Sequence, residues 1–169
     1  ENAIDDVLAT TIGGANVSHR YTYAIVGFAA SMTRQQAAAL RRDPRILHVE
    51  PDMLAFLSSN TVEGGDDPNI PDPWGLRRIS EPDGLAPTFD PCGADGSGVT
   101  VAIIDTGITL DHTEFTGRII AAENFATGAN SPWDEDGHGT HVAATVAGAT
   151  VGVARNADIV ALRVENPGG

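Results

Sequence analysis

The feature that most constrains the fold is a continuous apolar run at residues 99–104, which is rich in β-branched side chains and ends at Asp105. Short uninterrupted runs of this kind are typical of strands buried on both faces of a parallel sheet. Residues 119–125 and 158–164 are two further candidate strands, and residues 138–149 form an Ala-rich, helix-like segment between them. The order strand, strand, helix, strand predicts an α/β sheet.

The first 57 residues have a different pattern. Apolar side chains recur at helical spacing from Ile4 to Ile12, and Gly13-Gly14 follows them, which predicts a helix that ends there. Residues 19–28 are expected to form one strand and residues 33–42 a second helix, in which Thr33 and Gln36 stand at capping-box spacing. Residues 46–49 and 53–57 are expected to form two short strands. This order indicates a small α+β sandwich that lacks its first strand.

Residues 58–98 connect these two regions. They contain six prolines among glycines and acidic residues, which predicts a linker followed by a loop-rich arm. The charge changes at the same place, because residues 1–58 carry a net charge of −1 and residues 59–169 a net charge of −12. A change of this size suggests two modules with different surfaces.

The composition excludes several classes of function. The chain of 169 residues has a formal net charge of −13 and no cluster of basic residues, which argues against binding to nucleic acid. No segment approaches the roughly 18 apolar residues that cross a bilayer, so we expect no membrane span. The single cysteine, Cys92, excludes an internal disulfide and a zinc site built from several cysteines.

Two residues stand where α/β proteins place their chemistry. Asp105 follows the predicted buried strand, and in open α/β sheets sites form at the carboxyl ends of strands. A lone Asp at this position is also commonly the cap of the next segment. His138 lies between two glycines at the start of the predicted helix. A buried carboxylate bound to one imidazole nitrogen leaves the other free to take a proton from a hydroxyl. His138 and His141 also stand at i, i+3 spacing, which is compatible with a metal pair, but no second His or Cys cluster follows.

Several segments resemble one protein family. Residues 101–108, VAIIDTGI, and residues 137–143, GHGTHVA, resemble the aspartate and histidine motifs of subtilisin-like serine proteases. Residues 74–79, WGLRRI, resemble the mature N-terminus of the proteinase K-like members. Residues 48–52, HVEPD, resemble the family's propeptide, which is an inhibitor-like fold of the ferredoxin type.

The resemblance implies a fold and a domain organisation. We expect an inhibitor-like, ferredoxin-like α+β propeptide at residues 1–58 and a linker with the processing region at residues 59–73. Residues 74–169 are then the N-terminal part of a catalytic domain with a truncated subtilisin-like parallel sheet. The resemblance also implies secretion, a protein or peptide substrate, and a propeptide bound to the catalytic domain in cis.

The resemblance assigns catalytic roles to Asp105 and His138, with a serine nucleophile after the histidine. No serine follows Ser131, so we expect an N-terminal fragment of a serine endopeptidase precursor that is inactive alone. No cofactor is required. Structural calcium is compatible with Asp134, Glu135 and Asp136, although a solvated acidic loop is the simpler interpretation. The alternative function is a non-catalytic, inhibitor-like or pseudoenzyme module that binds a subtilisin-like protease.

Overall fold

The computed structural model describes residues 2–53, 74–81, 88–126, 128 and 131–165. The chain divides into two compact units, Glu1–Ala55 and Phe56–Gly169. Two predictions lie outside the described residues. They are the strand at residues 53–57, of which only Met53 is described, and the processing region at residues 59–73.

Over its described residues, 2–53, the first unit has two helices and an antiparallel hairpin. Its elements in chain order are α1 (Asn2–Thr11), β1 (Asn16–Thr22), β2 (Val26–Ser31) and α2 (Arg34–Leu40). Val7 and Ile12 pack with Leu40 in a small apolar core. At the start of α2 the Thr33 hydroxyl accepts the N–H of Gln36, and the Gln36 side chain accepts the N–H of Thr33, so the predicted capping box is present.

Two expectations for this unit are wrong. The single strand predicted at residues 19–28 is a hairpin, because the chain turns at residues 23–25 and pairs with itself. Residues 46–49 form no strand: the side chain of Leu47 is fully exposed, and no neighbouring strand pairs with this segment among the described residues. An apolar segment without a partner strand has nothing to satisfy its backbone hydrogen-bonding groups in a ladder.

The second unit contains the predicted parallel sheet. Its elements are α3 (Trp74–Ser80), β3 (Thr100–Asp105), a 3₁₀ turn (Thr113–Phe115), β4 (Ile119–Asn124), α4 (His138–Ala147) and β5 (Asp158–Arg163). The strand order is β3-β5-β4, and both strand pairs are parallel. The α/β character predicted from the sequence is therefore confirmed, while α3 lies in a segment that was expected to be loop.

One face of this sheet carries the core. Ile103 of β3 and Ile159 and Ala161 of β5 are buried together with Ala143 and Ala147 of α4. The continuous apolar sequence of β3 predicted burial on both faces. This is wrong for the described residues, because Ile104 on the opposite face is exposed. The packed face fixes the position of α4 relative to the carboxyl ends of the strands, where the candidate site lies.

Candidate active site

Asp105 is the last residue of β3 and is held there by backbone contacts. The Val164 N–H donates to the Asp105 carbonyl at 2.9 Å, which ties the ends of β3 and β5 together. The Thr106 N–H donates to Asp105 Oδ1 at 2.7 Å. Only 9% of Asp105 is exposed, so its carboxylate is fixed in a largely dry environment at the edge of the sheet.

His138 is the first residue of α4 and reaches this carboxylate directly. Its Nδ1 lies 2.8 Å from Asp105 Oδ1, although the two residues are 33 positions apart in the chain. Gly137, which precedes the helix, has a φ of 100°, a left-handed conformation that favours glycine. The His138 side chain is 29% exposed, so one imidazole nitrogen is bound to Asp105 while the ring keeps access to solvent.

The environment favours the charged form of His138. The hydrogen bond that His138 Nδ1–H donates to Asp105 raises the pKa of the imidazole above its ordinary value. The negative charges of Asp105, Asp136 and Asp134 act in the same direction, against the opposing effect of burial. An ionised Asp105 accepts from Nδ1–H in both protonation states of the ring. The contact therefore fixes the neutral tautomer with its free nitrogen at Nε2 and also stabilises the imidazolium.

His141 does not join the pair. It lies one helical turn further along α4 and is exposed, and its backbone N–H is bound to the Gly137 carbonyl. Among the residues that the structure describes, no group of three or more His, Cys, Asp or Glu side chains could hold a metal ion. The two histidines thus have different surroundings, and only His138 meets a carboxylate.

Asp134 has a position that the sequence did not predict. It is only 7% exposed, and its Oδ1 accepts hydrogen bonds from the Thr106 hydroxyl at 2.9 Å and from the N–H groups of Asp136 at 3.0 Å and Gly137 at 2.8 Å. Its Oδ2 accepts the N–H of Thr140 at 2.9 Å and the Thr140 hydroxyl at 2.5 Å. Burial opposes the charge of this carboxylate, but the hydrogen bonds outweigh it and hold the pKa of Asp134 below its ordinary value.

The expectation of a solvated loop is wrong for Asp134 and correct for Glu135 and Asp136, which are exposed. The arrangement of these three residues does not fit calcium. A calcium ion needs several carboxylate or carbonyl oxygens that converge on one point. The Asp134 oxygens face N–H and O–H donors, and Glu135 Oε2 is bound to Arg163 at 2.8 Å. We derive no catalytic or structural step from a metal at these residues.

Arg163 supports the loop that carries Asp134. It is the last residue of β5 and is only 1% exposed. Its guanidinium donates to the carbonyls of Trp133 at 2.7 Å and Ser131 at 3.3 Å, and its Nε donates to the Glu165 carbonyl at 3.2 Å. A buried cation at the end of the central strand thus anchors the segment that leads into α4.

Two protein families match this chain. Residues 96–169 match the subtilase family, and residues 3–58 match the family described as peptidase inhibitor I9. None of the helices in the described parts of the chain has the length and apolar character of a membrane span.

Several proteases are similar to most of the chain. The extracellular serine proteinase of Thermus sp. (strain Rt41A) is 39% identical over 89% of the chain and 35% of its own length. The cuticle-degrading protease of Metarhizium anisopliae is 36% identical over 96% of the chain and 39% of its own length. The alkaline serine exoprotease A of Vibrio alginolyticus is 36% identical over 85% of the chain and 27% of its own length. The chain thus spans less than two fifths of the length of these relatives.

A solved structure shares the fold. A cold-adapted subtilisin-like serine proteinase superimposes with a TM-score of 0.54 at 40% sequence identity, over 59% of this chain and 36% of the other. The parallel sheet, the family matches and this structural similarity agree with one another. Residues 96–169 therefore belong to the subtilase family, and residues 3–58 belong to the peptidase inhibitor I9 family.

Proposed function

We propose that these residues are part of a secreted serine endopeptidase precursor that hydrolyses peptide bonds in protein or peptide substrates. Asp105 orients and stabilises His138, and His138 is the general base and then the general acid. The nucleophile is a serine hydroxyl outside the 169 residues, because no serine follows Ser131. The observation that carries the proposal is the 2.8 Å contact between His138 Nδ1 and the buried Asp105 carboxylate.

The geometry supports a complete proton cycle. With Nδ1–H donated to Asp105, His138 Nε2 takes the proton from the serine hydroxyl as its oxygen attacks the peptide carbonyl carbon. The imidazolium that forms is stabilised by the Asp105 charge, and it then gives its Nε2 proton to the departing amine. Water repeats the cycle on the acyl-enzyme, which releases the acid and regenerates the serine. The raised pKa of His138 is the expected sign for a site that stabilises the imidazolium.

We further propose that residues 1–58 act as the propeptide, that residues 59–73 carry the processing region, and that residues 74–169 begin the catalytic domain. The match of residues 3–58 to peptidase inhibitor I9 supports an inhibitory role in cis. Residues 59–73 are rich in Pro, Asp and Gly, and polar loop segments are the usual sites of proteolytic nicking. The name of the Thermus relative, an extracellular proteinase, supports secretion of this protein as well.

The catalytic assignment is tested in the full gene product that contains these residues. His138→Ala removes the proposed base, and His141→Ala is the matched control on the exposed side of the same helix. We expect kcat/KM for a peptide substrate to fall by about 10⁴-fold or more in His138→Ala and to change little in His141→Ala. Equal losses of activity in the two variants, or full activity in His138→Ala, would reject the catalytic role of the Asp105–His138 pair.

The same proteins test the precursor assignment. Mass spectrometry of the purified wild type is expected to show loss of the first unit by cleavage within residues 59–73, while His138→Ala remains uncleaved. The alternative, a non-catalytic module, predicts a wild type that stays intact and inactive and that inhibits a separately added mature subtilase. That result would replace the enzyme assignment.

A further inference from the structure

The Thr106 hydroxyl joins two carboxylates at the candidate site. Its oxygen lies 2.9 Å from Asp134 Oδ1 and 3.2 Å from Asp105 Oδ1, and it accepts the N–H of Gly139 at 2.9 Å. Since a hydroxyl has one proton, Asp105 and Asp134 share a single donor. Thr106 is 1% exposed, so water cannot readily replace this contact. The end of β3, the loop before α4 and the first turn of α4 are therefore linked through one side chain.

Asp134 binds the same three segments of chain. Through Oδ1 it holds Thr106 and the N–H groups of Asp136 and Gly137, and through Oδ2 it holds Thr140. Asp136 and Gly137 lead directly into His138, and Thr140 lies two residues beyond it. The Asp134 carboxylate thus fixes the backbone on both sides of the imidazole without touching the ring itself.

We propose that Asp134 is a positioning residue that, together with the Thr106 hydroxyl, holds His138 in the orientation that makes its contact with Asp105. The inference rests on the proposed role of His138 and extends it to residues outside the Asp-His pair. Its competitor is a purely electrostatic role, in which the negative charge of Asp134 acts on His138 from a distance. The two roles predict different effects on the contact between His138 and Asp105 when the Asp134 carboxylate is replaced by an uncharged amide of the same shape.

An amide cannot replace this carboxylate. The five hydrogen bonds of the Asp134 carboxylate are all donated to it, and they are divided between its two oxygens. Asn has one oxygen and one NH₂ group, so in either orientation its NH₂ faces a backbone N–H that already donates. Asp134→Asn is therefore expected to disturb the turn and the start of α4. Asp136→Asn removes a charge that is closer in sequence to His138 than Asp134 is, but Asp136 Oδ1 accepts the His138 N–H, which an amide oxygen also does.

The test is nuclear magnetic resonance of His138 in the 169-residue chain, with the imidazole nitrogens and the Nδ1–H proton followed through a pH titration. We expect Asp134→Asn to lose the downfield Nδ1–H signal and to lower the pKa of His138 by more than Asp136→Asn does, because it weakens the contact with Asp105 as well as removing a charge. Equal pKa changes with the Nδ1–H signal retained in both variants would overturn the proposal.

A second pair of variants leaves both charges in place. Thr106→Val keeps the shape of the side chain but deletes the hydroxyl, and Thr106→Ser restores it. We expect the Nδ1–H signal to be lost in Thr106→Val and retained in Thr106→Ser. An unchanged signal in Thr106→Val overturns the proposal, even if Asp134→Asn does not fold. A wild-type chain without the Nδ1–H signal would instead contradict the Asp105–His138 pair, and so the proposed function itself.

Discussion

Gly139 occupies the point where α4 comes closest to the end of β3. A Cβ added there would lie 2.1 Å from the Gly107 carbonyl oxygen and 3.1 Å from both Cβ and Oδ1 of Asp105. Gly→Ala in a helix normally stabilises a protein, because alanine loses less conformational freedom on folding. At Gly139 the close approach predicts the opposite, a loss of stability. The sign of the stability change in Gly139→Ala therefore shows whether packing outweighs helix propensity.

The size of the effect follows from the geometry. Real Cβ atoms essentially never approach another heavy atom within 3.0 Å, so Gly107 and α4 must move apart by about 0.9 Å. Overpacking of this kind costs about 3 kcal/mol when backbone has to move, and the gain in helix propensity returns about 1 kcal/mol. We expect Gly139→Ala to lower the free energy of unfolding by about 2 kcal/mol. The same displacement weakens the contact between His138 and Asp105.

Gly75→Ala is the matched control. Gly75 is likewise the second residue of a helix, α3, but a Cβ there would meet nothing within 4 Å. This substitution is expected to stabilise the protein by about 0.4–1 kcal/mol. Urea unfolding followed by fluorescence is a suitable measurement, since the tryptophans at positions 74 and 133 both belong to the second unit. A midpoint for Gly139→Ala at or above that of the wild type, at unchanged m, would refute the packing argument.

Three further residues, Asp105, Arg163 and Thr33, are tested by substitution, and control variants accompany the last two. Asp105→Asn should lower the pKa of His138 in an NMR titration. The stabilisation from this pair is present below the ordinary histidine pKa of 6.5 and is lost as pH rises through the raised pKa of the folded state. The difference in unfolding free energy between wild type and variant should therefore shrink over that range. Arg163→Met should destabilise the second unit by about 2–4 kcal/mol in urea unfolding, because the carbonyls of Ser131, Trp133 and Glu165 lose the donor that holds them. Glu135→Gln, at an exposed carboxylate, should cost about 1 kcal/mol or less, and equal costs would contradict the role of Arg163. Thr33→Ala should cost about 1 kcal/mol through loss of the helix cap, seen as faster hydrogen exchange in α2, and Thr33→Ser should exchange like the wild type.

The sequence was informative where a local pattern and the tertiary structure require the same thing. The apolar run before Asp105 predicted a strand of a parallel sheet, and the structure confirms the strand although only one of its faces is packed. The glycines around His138 predicted a close approach of the backbone. The rule that sites form at the carboxyl ends of strands pointed to Asp105, while its pairing with His138 was predicted from the Asp-His arrangement of a triad and from the resemblance to the two subtilisin-like motifs.

Other features depend on contacts that no local pattern contains. The hairpin turn at residues 23–25 contains no Gly, Pro, Asn or Asp, so nothing in its composition marked the end of one strand and the start of another. Asp134 stands in an acidic stretch that is typical of a solvated loop, and its burial depends on Thr106, 28 residues earlier in the chain. One signal was available: the free N–H groups at the start of a helix need acceptors, and Asp134 is an acidic residue just before such a start.

We propose that one imidazole, His138, performs the proton transfers of peptide hydrolysis while bound to Asp105. This proposal is tested most directly by the pH dependence of kcat/KM in the full gene product, because this profile reports the pKa of the essential base in the free enzyme. We predict that activity falls at low pH with a midpoint equal to the pKa of His138 measured by NMR, and that Asp105→Asn lowers both values together along with the rate. An acid limb that stays in place when the pKa of His138 moves would contradict the proposal.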